Sequence, residues 1–430
     1  MAPAAGATLA AAMTSLLLPL LTLGGPALAN GQSTHIWITL HALEHLPEGE
    51  LKDLLTDPAL EPILINGAMF PDGGYPLGDD YAEIAHWEPF QNRYRDWIRT
   101  QYGAPWTDEG EQHVAFLMGM ASHGMADQTF DALFYERGLQ HDHASDFGTN
   151  SFDTSTDVVW MSMVGPMEYP QDWVPYDTFV QLYAEVGHSV SADTLATGQN
   201  LLRVAVLWVG NTSQIPDEVD RYAAQFPWMN SHLDDPEVSG NPPCEGRVLA
   251  EYWQSVWRRL NGDMAFDPEI IATFPEGGYG LDTDPAKVES RISLVFSQAM
   301  RRDSLADDKV VVTDPSGSVI PTTNWLYYGD NSHVLHLASA GGWAADTAYT
   351  VTVGPGLMSI DGNTTSGEAR FTVSTEAPPP SETDTGSAAD SGAAEDDGVL
   401  WGGGCGSRAG LLGFGMLPLL ARRRRTRPPG

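Results

Sequence analysis

Cysteine is almost missing from this chain of 430 residues, which has only Cys244 and Cys405. The two are far apart and in unlike contexts. That excludes a disulfide framework and any cysteine-built zinc site, so a metal here has to be held by histidine and carboxylate. Basic residues are scarce too: 22 Lys and Arg stand against 57 Asp and Glu, for a net charge of −35. Such a surface favours solubility and argues against an electrostatic grip on nucleic acid. No internal repeat of solenoid or propeller period occurs. What is present is a globular composition, 42% hydrophobic with 13 Trp. It is spread over a length too great for one core, which implies two domains plus tails.

Both ends read as targeting segments. Residues 1–29 contain Leu16-Leu17-Leu18-Pro19-Leu20-Leu21 and then Ala27-Leu28-Ala29, the pattern of a secretory signal with its cleavage site, although its first residues carry no Lys or Arg. Residues 376–398 are rich in Pro, Ser, Thr, Asp, Gly and Ala without apolar periodicity, the composition of a disordered acidic linker. Residues 399–430 hold a glycine run around Cys405, an apolar stretch from Ala409 to Ala421 and then Arg422 to Arg425. The apolar stretch is shorter than the roughly 20 residues of a free-standing membrane helix. This tail resembles the Gly/Cys–apolar–Arg sorting tails of myxobacterial surface proteins. The resemblance implies a sorting protease as partner and a place on the outer surface of the cell.

Residues 30–268 read as mostly helical. Asp96 to Gln101, Glu111 to Phe134, Thr194 to Trp208 and Gly246 to Leu260 carry helical apolar spacing. Long stretches such as Asp72-Gly73-Gly74-Tyr75-Pro76 read as functional loops. Over 269–375 the texture changes to alternating runs, Ile292 to Phe296, Tyr349 to Val353 and Phe371 to Val373, with turn signals between them. That predicts a small β-sandwich. Phe296 to Met300 and Gly356 to Asn363 resemble the bacterial Ig-like domain. No catalytic constellation is apparent there, so a spacer or adhesive role is expected. The fold class is therefore multidomain, an α-helical domain followed by an Ig-like β-sandwich.

The chemistry lies in the helical part. In His123-Gly124-Met125-Ala126-Asp127 the i, i+4 spacing puts both side chains on one helix face, and Asp131 extends the stripe. Val114, Leu117, Met118, Ala121 and Met125 form the opposite, core-facing side. Histidine nitrogen and carboxylate oxygen in line on a packed helix suit zinc. Taken alone, His-x-x-x-Asp is also compatible with a polar helix face and a satisfied histidine.

Its company is more specific. Upstream stand Ser33-Thr34-His35 with Ala42-Leu43-Glu44, then Phe70-Pro71-Asp72, then His86-Trp87-Glu88-Pro89-Phe90. Ala115-Phe116-Leu117 leads into Ser122-His123 and Asp127. Downstream is His141-Asp142-His143-Ala144-Ser145-Asp146-Phe147-Gly148. From about Ser33 to Asp153 this order resembles the zinc-dependent phospholipase C superfamily, and within it the catalytic domain of glycosylphosphatidylinositol-specific phospholipases D. The resemblance implies a mostly helical fold holding a cluster of three zinc ions. It implies His35, His86, His123 and Asp127 as ligands. Asn30, if freed as the mature N-terminus, would add its amine and carbonyl. Asp72 is implied as the carboxylate that bridges metals or orients the attacking water, and is the one catalytic residue singled out.

Two positions depart from the pattern. Asp131 stands where that family has histidine. The later His–acid pair, His143 and Asp146, is three residues apart instead of four, with His141 and Asp142 as competing candidates. His41, His45 and His113 are expected to be ordinary surface or supporting residues. Trp37, Trp87, Trp97 and Trp160 are expected to be core or pocket wall. The reading that follows is a zinc-dependent hydrolase of phospholipids, of type C or D, working at a membrane surface. The alternatives are a zinc nuclease or nucleotidase of the same superfamily, and a non-catalytic surface protein with a degenerate zinc domain.

Overall fold

The computed structural model describes residues 30–142, 149–235, 238–306 and 308–377. Its first part is a bundle of helices built around Asp108–Thr129. This helix opens on a Thr107 cap whose hydroxyl accepts from the Gly110 amide at 3.1 Å, with Asp108, Glu109 and Glu111 in its first turn. Side-chain cap and acidic turn satisfy orphan amides and suit the positive end of the helix dipole. From His113 onward every residue is buried, as expected for a helix enclosed on all sides. Its closest neighbour, Glu61–Met69, crosses it almost backbone to backbone. A Cβ placed on Gly119 would lie 2.2 Å from the Leu64 carbonyl oxygen, so only glycine permits this approach.

Around this pair lie Gln32–His45, Glu88–Gln101, Thr149–Val164, Ala192–Thr212 and Pro242–Leu260. The Asp72 to Pro76 stretch is not an open loop. It is a 3-10 helix, Pro71–Leu77, that buries Asp72. Immediately after Thr129 the central helix widens into a π-turn, Phe130–Tyr135. No described helix is long and apolar enough to cross a membrane.

The second part is a β-sandwich of β1 (Ile270–Phe274), β2 (Ile292–Phe296), β3 (Val310–Thr313), β4 (Val319–Ile320), β5 (Thr323–Leu326), β6 (Val334–Ala338), β7 (Ala348–Val353) and β8 (Ala369–Ser374). These form two antiparallel four-stranded sheets, ordered β1-β2-β6-β5 and β4-β3-β7-β8. Leu294, Phe296, Leu335 and Leu337 pack with Val312, Val351 and Val373 between the sheets. Strand β2 is buried at all five positions. Val295 and Val334 face the other way and join the helical core with Phe274. The outer face of this sheet is therefore docked on the helices rather than left to solvent.

A polar pin reinforces the docking. Glu88, on the helical side, is buried with Arg259 as its ion-pair partner. Its Oε2 also accepts from the Ala299 amide at 2.7 Å and lies 3.0 Å from His333 Nε2, both on the sandwich. Asp361 of the sandwich reaches back to Arg259 at 3.2 Å and Asn92 at 3.1 Å.

Burial opposes the Glu88 charge, but Arg259 first and His333 next hold its carboxyl well below the usual range. Its stabilising contribution is therefore complete above the unfolded pKa of about 4.3 and drains away as pH falls below that. Glu88→Ala should cost about 3–5 kcal/mol, because it strands a buried arginine. Urea unfolding at pH 7 measures this, and a loss under about 1 kcal/mol would show that the pin is dispensable.

Candidate metal centre

Five side chains from four segments meet inside the helical bundle. Gln32–His45 supplies His35, the 3-10 turn supplies Asp72, Tyr81–His86 ends on His86, and the central helix supplies His123 and Asp127. All five are buried. Close packing sets their spacing: a Cβ on Gly124 would sit 2.4 Å from the His86 carbonyl oxygen, so glycine lets the His86 turn press against the His123 helix.

Two backbone carbonyls fix the imidazoles. Nδ1 of His123 is 2.7 Å from the Ala68 oxygen, and Nδ1 of His86 is 2.6 Å from the Ala82 oxygen. A carbonyl oxygen only accepts, so each Nδ1 carries the hydrogen and donates it, leaving Nε2 for the interior. The two Nε2 atoms lie 3.0 Å apart. Asp72 Oδ1 is 3.2 Å from that of His86 and 3.3 Å from that of His123. Asp127 Oδ2 lies 3.5 and 3.3 Å from the same atoms, and its Oδ1 is 3.0 Å from His35 Nε2. The His35 ring stacks on His123 at 3.9 Å, and its Nδ1 is buried without a hydrogen-bond partner.

Two triads result, His35 with His123 and Asp127, and Asp72 with His86 and His123, each with ligand atoms within 4.8 Å of one another. His123 belongs to both. With its Nδ1 committed to Ala68 it has one nitrogen to give.

The electrostatics follow from this convergence. Burial opposes charge on His86, but the hydrogen bond and charge of Asp72, then Asp127, lift its pKa to about 9. Burial and the neighbouring His35 push His123 down. Burial also works against the Asp72 carboxylate, but His123 and then His86 hold it well below the ordinary range. The pocket therefore carries a proton on His86, aimed at a group of lone pairs.

The other expected ligands are placed as follows. The Asn30 side chain is buried and donates to Glu245 Oε2 at 2.6 Å. Asp131 is buried one turn beyond Asp127 but outside both triads, and one of its oxygens accepts from the Tyr328 hydroxyl of the sandwich. Burial, then the charge of Asp127, pushes its carboxyl well above the usual range. His143 and Asp146 lie outside the described residues. Their competitors are engaged elsewhere: His141 pairs with Glu289 at 2.6 Å, and Asp142 accepts from the Trp228 amide at 2.7 Å.

His113 is a core residue 2.7 Å from the Tyr94 hydroxyl, and His41 stacks on Trp37. Trp160 is buried in a core cluster against which Trp37 packs, and Trp97 packs partly buried against the main helical core.

Three acids near the centre are absent from the sequence reading. Asp157 accepts from the Ser33 and Thr34 amides at 3.0 and 2.9 Å and so caps the helix carrying His35. Burial raises its pKa to about 6. Asp153, one turn before it, is pushed up by burial and then by Asp131, Asp127 and Asp72. Glu245 is pushed up by burial as well. Asp153-x-x-x-Asp157 repeats the spacing of His123 and Asp127 and was available as a signal. Glu245, more than a hundred residues from His123, had none.

Comparison with known proteins adds two likenesses. The bacterial Ig-like domain family matches residues 266–375. The chain is 39% identical over 119 residues to phosphatidylinositol-glycan-specific phospholipase D of Bos taurus, covering 25% of this chain and 14% of that protein. With the Rattus norvegicus protein of the same name it shares 35% over 136 residues, 29% of this chain and 16% of the relative. The chain thus spans only a small part of the curated relatives it matches. Against the crystal structure of the S-layer protein rSbsC it aligns over 81% of its length and 46% of that chain, at 9% identity and a TM-score of 0.22, too weak a likeness to describe a shared fold. The sequence thus joins a segment similar to these phospholipases D to a C-terminal Ig-like domain.

Proposed function

We propose that this chain is a zinc-dependent phosphodiester hydrolase that acts on phospholipids at a membrane surface, outside the cell that makes it. The observation that carries the reading is the meeting of the His86 and His123 Nε2 atoms with two carboxylates in a buried pocket. Similarity to the phospholipases D supplies the substrate class. The donor set, imidazole and carboxylate without sulfur, suits zinc. His35, His123 and Asp127 would hold one ion, and Asp72 and His86 would serve a neighbouring one. Bound zinc supplies Lewis acidity toward the phosphate oxygens and toward water at neutral pH.

The chain's own residues do the rest. The Ala68 and Ala82 carbonyls fix tautomer and ring direction, the usual outer-shell support of a metal-binding imidazole. Asp72, held ionised by His123 and His86 and gripped through Oδ2 by the Gln32 amide, is placed to orient water rather than to take up its proton. Buried surroundings strengthen each of these interactions.

Zinc has to displace the His86 proton. With that pKa near 9, metal affinity should rise about tenfold per pH unit between pH 6 and 8. Competition with a chelating dye across that range checks this, and a flat profile would remove His86 from the ligand set.

Asp72→Asn should lower turnover of a phospholipid by about 10²–10⁴-fold, the range lost with a positioned acid–base group, while most of the zinc stays bound. Near-normal turnover overturns the role given to Asp72. Phosphorus NMR of the zinc-loaded chain on mixed phospholipid micelles reads the reaction directly. A phosphorylated head group marks type C cleavage and phosphatidic acid marks type D. Inert lipid with hydrolysed single-stranded DNA would move the assignment to the nuclease branch.

A further inference from the structure

The Ig-like domain is expected from sequence to be a spacer, yet one of its side chains reaches a buried acid one helical turn beyond Asp127. Tyr328 follows β5 in the turn that leads to Gly329–Asn331. Its hydroxyl donates to Oδ2 of Asp131. Its ring lies 4.9 Å from that of Trp87, the residue directly after His86. Asp131 is fully buried, and its second oxygen, Oδ1, has no hydrogen-bond partner. An ordinary interface hydrogen bond does not account for that oxygen, because a buried polar atom left without a partner is costly.

The position of Tyr328 is also not a matter of side-chain freedom alone. The Tyr327 amide donates to Val334 at 3.0 Å. The His333 amide donates to Gln128 Oε1 at 2.8 Å, and Gln128 directly follows Asp127. The same His333 sits on Glu88. The docking pin and the tyrosine are therefore one rigid arrangement, referenced to Asp127 on one side and to the His86 turn on the other.

We infer that Tyr328 is a positioning residue of the metal centre, which the Ig-like domain donates. It orients Asp131 so that the unpartnered Oδ1 is left for a metal ion, and it makes the two domains one functional unit. The inference rests on the zinc reading above.

The test titrates the full chain with cobalt(II), whose visible absorption reports the ligand set without any turnover. Tyr328→Phe keeps the ring and removes the donor. It should weaken cobalt binding about 10–100-fold, as loss of outer-shell support does, and change the absorption spectrum. In an Asp131→Asn background the same change should add nothing, because the tyrosine acts through that carboxylate.

Wild-type affinity and spectrum in Tyr328→Phe overturn the inference and leave the zinc reading intact. Equal losses in both backgrounds overturn it too, since the tyrosine then acts by another route. Failure of the wild-type chain to bind cobalt or zinc removes both readings. Should Tyr328→Phe not fold, Asp131→Asn alone decides: an unchanged cobalt spectrum and affinity overturns the inference, and a weakened, altered one supports it.

Discussion

Two carbonyl oxygens that can only accept hydrogen bonds set the character of this molecule. Because Ala68 and Ala82 claim Nδ1 of His123 and His86, both rings turn their remaining nitrogens into one buried space. Asp72 and Asp127 are already there. A buried group of acceptors is unfavourable unless something positive lies among them. Against the pull of burial, Asp72 and Asp127 accordingly raise the His86 imidazole pKa to about 9. Much of the surrounding architecture serves this arrangement. The bare backbone at Gly119 lets the helix carrying Leu64 and Ala68 come close and brings Ala68 within reach of His123, and Gly124 lets the His86 turn close on the same helix. Asp157 ties down the first turn of the helix that carries His35.

The chain buries carboxylates in two places and treats them differently. At the domain junction Glu88 meets Arg259, a permanent cation with five donors, in a cluster completed by Asp361, His333 and the Ala299 amide. At the centre the ion pairs of Asp72 and Asp127 among the described residues are all with histidine. Histidine gives up its proton near neutrality and then becomes a metal ligand. The first solution fixes a structure. The second leaves a place whose charge changes with the protonation of its histidines.

The sequence exposes the parts of this that depend on local spacing. His123 and Asp127 stand one turn apart on the helix predicted for them, and Ile292 to Phe296 and Tyr349 to Val353 lie in strands. His35, Asp72 and His86 came from the order and flanking residues of a family resemblance, and they reach the same pocket. Arrangements made by distant segments were not legible. Alternation in β2 predicts one buried face, but docking on the helices buries both. Asp131 falls on the His123 stripe only if the helix continues unchanged. The π-turn from Phe130 widens it, as such insertions do near functional sites, and a tyrosine almost two hundred residues away takes one oxygen. The acidic group of Asp153, Asp157 and Glu245 is a product of the bundle: the first two show their spacing within one helix, but no local pattern links Glu245 to His123.

That group also bears on how strongly a cation is wanted. Asp131, Asp153 and Glu245 are all held above the ordinary carboxylate range, with burial the first cause at each and neighbouring acids adding to it at each. At each of them burial and like charge outweigh the positive charge nearby. A divalent ion among Asp72, Asp127 and the histidines would reverse this balance and let nearby carboxylates ionise, since a bound ion is the largest local charge and inverts the pKa logic around it. Uptake of the first ion would then make the pocket more attractive to the next. A chain with so few basic residues, which spends Arg259 and Arg95 on its domain junction, thus leaves Asp72 and Asp127 at its centre with no lysine or arginine among their ion pairs in the described residues.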